Sequence, residues 1–444
     1  MMSSPPEWQS LRDDLTALHG AALAAADPVA AVRRALRTEG GRLLSGGHTV
    51  ELEQSSRVWL IAFGKASCGM ARAAIEVLGP RLTAGVVAHP HGIEPQADWP
   101  PAVRCFAAGH PLPDDGSLRA GEAALTMLRH ARRGDVAVVL ASGGGSALFE
   151  SLRAGVTLAD LRGVTEALQH AGADIMELNT VRRSLSRIKG GGLARASSPA
   201  RVVTLLLSDV IGDAIETIAS GPTVDSSTGP QEALDVLERR GLAEPFPAVT
   251  AALREGVLAG ASASPATERF TQVVASNRIA GSALCAEAEA RGFRALLLTD
   301  RLQGEAREAG RILGGVARGM SEGQVPFPAP ACVVLGGETT VTVRGNGRGG
   351  RNLELALGAA LALDGCRHAA VFSFATDGVD GSSKAAGAVA RGDTIARAKR
   401  LGLSAHAALT DNDTEPFFTA LDDLWITGPS GTNLNDLVVA LAYP

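Results

Sequence analysis

The sequence predicts an α/β fold of two α/β domains, and three observations carry that expectation. Short apolar runs such as Val58–Phe63, Val136–Leu140 and Val202–Leu207 alternate with stretches of helical spacing. Several apolar runs end in glycine-dense loops: Gly64-Lys65-Ala66-Ser67, Ser142-Gly143-Gly144-Gly145-Ser146, Gly336-Gly337-Glu338-Thr339 and Thr376-Asp377-Gly378-Val379-Asp380-Gly381. The chain, at 444 residues, is too long for one typical core. Strand-to-helix turns are where open α/β sheets place ligands, and their exposed backbone N–H groups favour anions. The expectation is a phosphate-handling enzyme.

Residues 9–45 read as helical, with Leu11, Leu15, Leu18, Ala22, Val32 and Leu36 recurring at helical spacing and a break at Asp27-Pro28. The strand at 58–63 leads into a helix through Met70, Ala74 and Val77. Apolar runs follow at 84–88 and 103–107, the second ending in Gly109-His110-Pro111-Leu112-Pro113-Asp114. A helix over 116–132, a strand over 135–141 and a helix over 158–172 come next. The buried strand Val202–Leu207 then runs into Ser208-Asp209-Val210-Ile211-Gly212-Asp213. This alternation predicts a Rossmann-like, mostly parallel sheet with helices on both faces.

Prolines 222, 230, 245, 247 and 265 punctuate the following stretch, and Gly260–Pro265 reads as a loop. The domain boundary is set near 245, giving domains 1–245 and 246–444. A second series comprises runs at 271–275, 295–298, 332–335, 339–343 and 370–374. The alternating Thr339–Val343 reads as an antiparallel partner, so the smaller C-terminal domain is expected to hold a mixed sheet. An active-site cleft is expected between the two domains.

Composition excludes several classes. Hydrophobic content of 45% and charge of 20% are ordinary for a folded soluble protein. The net charge of -5 argues against a nucleic-acid or anionic-membrane surface. No window approaches the roughly 20 apolar residues of a membrane span, and Met1–Trp8 lacks the pattern of a signal peptide. Five cysteines form no CxxC pair. The expectation is a cytoplasmic monomer or homodimer with neither nucleic acid nor membrane as partner.

Only four lysines, Lys65, Lys189, Lys384 and Lys399, stand among the 42 basic residues. Lys65 directly follows a strand end, where an ammonium reaches a phosphate as a point charge. Gly64-Lys65-Ala66-Ser67 is not a Walker A loop, and no strict G-x-G-x-x-G follows the first strand, so the nicotinamide fingerprint is missing. Ser142 to Ser146 offers a row of N–H donors and two hydroxyls, although a plain turn would also use glycine. Arg182, Arg183, Arg187 and Lys189 precede Gly190-Gly191-Gly192; the arginines read as a solvated helix face and Lys189 as a phosphate ligand.

Asp209 follows a buried strand, while Asp213 is equally a helix cap. Glu338, Asp377 and Asp380 lie at strand ends of the second domain, where Asp-Gly pairs also make ordinary turns. Arg351 ends the loop Gly345-Asn346-Gly347-Arg348-Gly349-Gly350 and opens a helix, suited to grip a carboxylate or phosphoryl group.

These segments occur in the order of a known family. Phe63–Ser67, Gly109–Asp114, Ser142–Ser146, Lys189–Gly191, Ser208–Val210, Ser220-Gly221-Pro222-Thr223, Gly336–Thr339, Gly350–Asn352 and Thr376–Gly381 resemble the motifs of the glycerate 2-kinases. Members of that family were formerly described as hydroxypyruvate reductases, and their C-terminal part is the MOFRL domain. The resemblance spans about residues 10 to 440. It implies transfer of a phosphoryl group from ATP to D-glycerate, with 2-phosphoglycerate as product and Mg²⁺ as cofactor. It places the catalytic lysine and arginine at Lys65 and Arg351; the chemistry of the strand-end acids adds Asp209 as the expected third catalytic residue, with the division of roles among Asp209, Glu338 and Asp377 left open. Ser142, Gly143, Gly144, Gly145, Ser146 and Lys189 are the expected nucleotide-phosphate ligands, and Asp209, Glu338 and Asp377 the expected metal ligands. The alternatives are an NAD(P)H-dependent hydroxypyruvate reductase and a non-catalytic nucleotide or sugar-acid sensor.

Overall fold

The computed structural model describes residues 8–93, 99–259, 268–323 and 325–444. The loop expected at 260–265 and the first seven residues lie outside them. The chain divides into two compact units, one of residues 28–274 and one of residues 1–27 with 275–444. The division thus falls at 274 and not near 245, and the first 27 residues join the second unit.

The unit 28–274 opens with the helix Pro28–Ala35 and continues as an antiparallel meander of β1 (Leu36–Glu39), β2 (Arg42–Ser45) and β3 (His48–Glu51). The helical expectation fails beyond Ala35. Gly40, Gly41, Gly46 and Gly47 all hold positive φ, the geometry of tight hairpin turns.

The main sheet of this unit contains β4 (Val58–Phe63), β5 (Leu82–Pro90), β6 (Val103–Ala108), β7 (Val136–Ala141), β8 (Arg201–Leu207) and β9 (Arg269–Ala275). Their order is β6-β5-β4-β7-β8-β9, and β4 to β8 pair in parallel. The chain runs one way from β4 to β6 and then restarts on the other side of β4 with β7. That reversal makes the β4/β7 junction a topological switch point, where the two strand-end loops lie side by side. Both strands are buried along their whole length, as continuous apolar runs in a parallel sheet require. The run at 271–275, expected to start the second domain, instead forms β9 at the edge of this sheet, beside β8. Helices pack over the sheet with a core that includes Ile61, Phe63, Val139, Phe149 and Leu193.

The second unit holds β10 (Arg294–Leu302), β11 (Ala331–Gly337), β12 (Ala369–Ala375), β13 (Gly387–Arg391), β14 (Leu424–Trp425) and β15 (Asp436–Ala442). Their order is β10-β11-β15-β12-β13-β14, with β10 and β11 parallel and the remaining pairs antiparallel. The sheet is mixed, as expected, but Thr339–Val343 is no strand: Thr340 makes one isolated parallel bridge, to Glu305. The register sets Asp436 level with both Gly337 and Ala375, so the ends of β11 and β12 and the start of β15 share one sheet edge. The helix Trp8–Ala26 belongs here, with Asp14 accepting from Arg291 Nε at 2.8 Å and from the Tyr443 hydroxyl at 2.9 Å. Among the described residues no single helix is long and apolar enough to cross a membrane.

Candidate active site

In the unit 28–274 the loops after β4 and β7 are fastened to each other. Ser142 N donates to Phe63 O at 3.1 Å, Lys65 N to Gly143 O at 2.8 Å, and Ala66 N to the Ser142 hydroxyl at 3.0 Å. Gly64 sits at φ +117°, and a Cβ there would lie 2.2 Å from Ser142 Oγ, so no other residue fits that turn. Lys65 itself is exposed.

Three side chains crowd the second glycine loop. A Cβ on Gly143 would lie 2.0 Å from Asp209 Oδ2, and one on Gly144 would meet His110 Cδ2 at 2.9 Å and Lys65 Cγ at 3.3 Å. Lys65, Asp209 and His110 therefore converge on Ser142-Gly143-Gly144, with a cation and an anion on a turn built from backbone. Gly145 N closes that turn on Ser142 O at 3.1 Å. The amides of Gly143, Gly144 and Ser146 take no backbone carbonyl among the described residues. The sequence reading gave His110 no role beyond its place in the Gly109–Asp114 motif. Its Gly-His-Pro context was the available signal, but only the fold brings it to Gly144. Partial burial and then the charge of Lys65 lower its pKa, which keeps the imidazole neutral near pH 7.

The flanking serines do other work than expected. The Ser142 hydroxyl is buried and ties the two loops together by accepting the Ala66 N–H. The Ser146 hydroxyl shares a 2.8 Å hydrogen bond with Ser220. Lys189 is not open to a nucleotide at all. Its side chain is 1% exposed and ion-paired to Glu150, itself fully buried, because an ammonium taken out of water needs a carboxylate beside it. The arginines before it are not a solvated face either: Arg183 is buried, and only Arg187 is exposed.

In the second unit, Arg351 is the first residue of the helix Arg351–Leu363. Its guanidinium grips Asp436 with a fork, Nε to Oδ2 at 2.5 Å and Nη2 to Oδ1 at 3.0 Å, while Nη1 lies 3.1 Å from Glu338 Oε1. Burial acts to lower the Arg351 pKa, but the bonds and charge of Asp436 outweigh it and hold the guanidinium above its ordinary range. Burial drives Asp436 the opposite way, upward, and the Arg351 fork resists that. The guanidinium is charged, since arginine does not give up its proton in a protein.

Asn352 steadies the arrangement. Its Nδ2 donates to Asp380 Oδ1 and Asp436 Oδ1, and its Oδ1 accepts from Ser373. Asp380 caps the helix from outside, accepting from Asn352 N at 3.1 Å and Leu353 N at 2.9 Å. Asp377 uses its carboxylate on Val379 N at 3.0 Å. Sequence reasoning missed Asp436, the bonds Asn352 makes and the capping task of Asp380. The Asn433-Leu434-Asn435-Asp436 segment before an apolar run was the one local clue to Asp436.

Among the described residues no three His, Cys, Asp or Glu side chains gather as metal ligands. Glu338 is engaged by Arg351 and Asp377 by the Val379 amide. Magnesium asks for only one or two carboxylates when phosphate oxygens and water supply the rest, and Asp209, against the glycine loop, fits that demand.

A parallel sheet that sets a lysine, a carboxylate and an amide-rich glycine turn at its switch point defines an α/β enzyme of the phosphoryl-handling class. The comparisons narrow it further. Residues 14–254 match a family model described as a domain of unknown function, DUF4147, and residues 331–436 match the MOFRL family. A glycerate 2-kinase of Pyrococcus horikoshii is 37% identical over 96% of this chain and 96% of its own length. A D-glycerate 2-kinase of Thermotoga maritima is 40% identical over 87% of this chain and 90% of its own. A relative from Agrobacterium vitis, 41% identical over 86% of this chain and 98% of its own, carries a hydroxypyruvate reductase name. The crystal structure of a Pyrococcus horikoshii protein superposes with a TM-score of 0.90 at 35% identity, covering 100% of both chains. The Thermotoga maritima glycerate kinase structure gives 0.88 at 35% identity, over 98% of this chain and 100% of that one. The chain belongs to the glycerate 2-kinase family, and it is an enzyme of that phosphotransferase type.

Proposed function

We propose that the protein transfers the γ-phosphoryl group of ATP to the 2-hydroxyl of D-glycerate, releasing ADP and 2-phosphoglycerate. The observation that carries this reading is the convergence of Lys65, Asp209 and His110 on the Ser142–Gly145 turn, in a chain of this family. Lys65 stabilises the charge spread over the transferring phosphoryl oxygens, where a fixed cation is worth most. Backbone amides of the turn hold nucleotide phosphate, a task that leaves the Ser142 hydroxyl and Lys189 to their structural bonds. Asp209 is the carboxylate that would hold magnesium and accept the glycerate hydroxyl proton. The ion supplies charge neutralisation on the phosphates when bound. Burial and the charge of Lys65 favour the neutral form of His110, so the positive charge on the turn comes from Lys65.

Arg351 orients an anionic group, carboxylate or phosphate, through its planar fork. Two of its nitrogens are committed to Asp436, so an incoming anion takes Nη1 and displaces the half-exposed Glu338. The retained lysine, arginine and acids weigh against a pure sensor, and the missing dinucleotide fingerprint against a reductase.

Phosphorus NMR of the protein with ATP, Mg²⁺ and D-glycerate tests this directly. A 2-phosphoglycerate signal rising with ADP is the expected result. A 3-phosphoglycerate signal overturns the regiochemistry, and free phosphate alone overturns the acceptor. NADH oxidation with hydroxypyruvate in the absence of ATP would restore the reductase reading.

A further inference from the structure

Arg183 is the most buried arginine among the described residues, 8% exposed, and it has no ion pair among them. Its Nε is buried without a hydrogen-bond partner among the described residues, and its Nη1 reaches only Ser226 Oγ, at 3.3 Å. Three other partly buried arginines are ion-paired, Arg307 with Glu354, and Arg391 and Arg397 with Asp423. The carboxylate whose charge reaches Arg183 is the exposed Glu216, and no ion pair joins the two among the described residues, while Glu150 is held by Lys189 and Asp225 by Arg195 and Arg269. Burial pushes the Arg183 guanidinium below its ordinary value, and the charge of Glu216 acts against that only through space. Arg182 beside it is pushed the same way by burial. A buried guanidinium left this short of negative charge is costly unless an anion joins it.

The groups around it suit an anion. Thr180 Oγ1 and Ser226 Oγ each lie 3.3 Å from Thr228 Oγ1. These are long for hydroxyl pairs, whose usual separation is about 2.7 Å, so the hydroxyls are only loosely satisfied by each other. The cluster is also continuous with the glycine loop. Ser226 packs on Gly190, Gly190 N donates to Ser220 O at 3.0 Å, and Ser220 shares its hydroxyl bond with Ser146.

We propose that Arg183, with the hydroxyls of Thr180, Ser226 and Thr228, binds an oxyanion carried by a substrate of the enzyme. That oxyanion is the carboxylate of the hydroxy acid or a phosphate of the nucleotide; the guanidinium fork matches both. The proposal rests on the kinase reading for the identity of the ligand but not for the existence of the anion site.

Two variants, Arg183→Gln and the double variant Ser226→Ala/Thr228→Val, are assayed with glycerate and ATP varied separately. Each is also melted with and without inorganic phosphate. Arg183→Gln should raise the KM of one substrate at least tenfold and leave the other unchanged, and the KM that moves identifies the source of the oxyanion. The double variant should move the same KM less. Phosphate should raise the Tm of the wild-type protein and do so less in Arg183→Gln. Unchanged KM values, or a fall in kcat alone, would mark a purely structural arginine and overturn the proposal. If Arg183→Gln does not fold, the double variant decides by the same criteria. A wild-type protein inactive on glycerate that still shows the Arg183-dependent phosphate shift would sink the kinase reading and keep the site.

Discussion

At the scale of single residues, the site depends on which charges are free and which are already matched. Lys65 is exposed beside a glycine turn, whereas Lys189 is sealed against Glu150. Lys65→Ala should therefore lower kcat by about 10²–10³-fold, the usual cost of one preorganised transition-state contact. The check is ADP release by a protein whose circular dichroism is unchanged; near-normal turnover would remove Lys65 from the mechanism. Arg351 depends on Asp436 for its aim. Asp436→Asn keeps the shape and removes the charge, so kcat/KM should fall at least about tenfold, as for a broken buried charged hydrogen bond. The same loss should not follow Asp377→Asn, whose carboxylate accepts only the Val379 amide among the described residues.

Lys65, Asp209 and the glycine turn were legible in the sequence because each is announced by its own neighbours. Asp436 and the Glu150 clamp were not, since they lie 85 and 39 residues from the side chains they hold.

Among the elements, the helix Arg351–Leu363 shows how a site is aimed from outside. Its N-cap position is Gly350, which has no side chain to cap with, and Asp380 supplies the missing acceptor. Burial raises the Asp380 pKa to about 6, with the helix amides pulling it down and Asp436 pushing it up. Below that pH the carboxylate that faces the amides is neutral, and the cap and the Arg351 fork slacken together. The pH–rate profile should show an acid limb near 6, which Asp380→Asn should flatten at a lower plateau; an unmoved limb would assign it to another group. Stability follows its own sign: the raised pKa favours the folded state below the unfolded value, and this contribution disappears as pH rises through about 6.

Elements were readable where one periodicity ran uninterrupted, as in β4, β7 and β8. The β1–β3 meander was not, because its apolar residues continue the spacing of the helix before it and only paired glycines mark the turns. Thr339–Val343 alternates like a strand, yet it lies beyond the end of the ladder between β11 and β15 and keeps a single bridge.

For the whole molecule, the division into units was misjudged because proline density is a local signal and sheet membership is not. Strand β9 stays with the first sheet, and the helix Trp8–Ala26 crosses the sequence to join the second unit. That helix brings His19 against Phe372, Phe374 and Trp425, at ring separations of 6.3, 4.8 and 5.7 Å. Burial lowers the His19 pKa to about 4, so the unfolded chain takes up a proton that the folded one refuses. Stability should be lost as pH falls from about 6.5 towards 4, by about 3 kcal/mol. Urea unfolding of the wild-type protein and of His19→Phe across that window would check it, the variant losing distinctly less.

The position of β15 carries a consequence for how the enzyme is made. It lies between β11 and β12, yet the ribosome synthesises it after every other strand of both sheets. Until it emerges, β11 and β12 have no common neighbour, and Arg351 has no Asp436 to hold it. A nascent chain can thus assemble the parallel sheet with its lysine and glycine turn while the arginine half stays unfinished. The Arg351 fork can therefore form only after β15 has left the ribosome and paired between β11 and β12, later than any contact of the lysine and glycine turn.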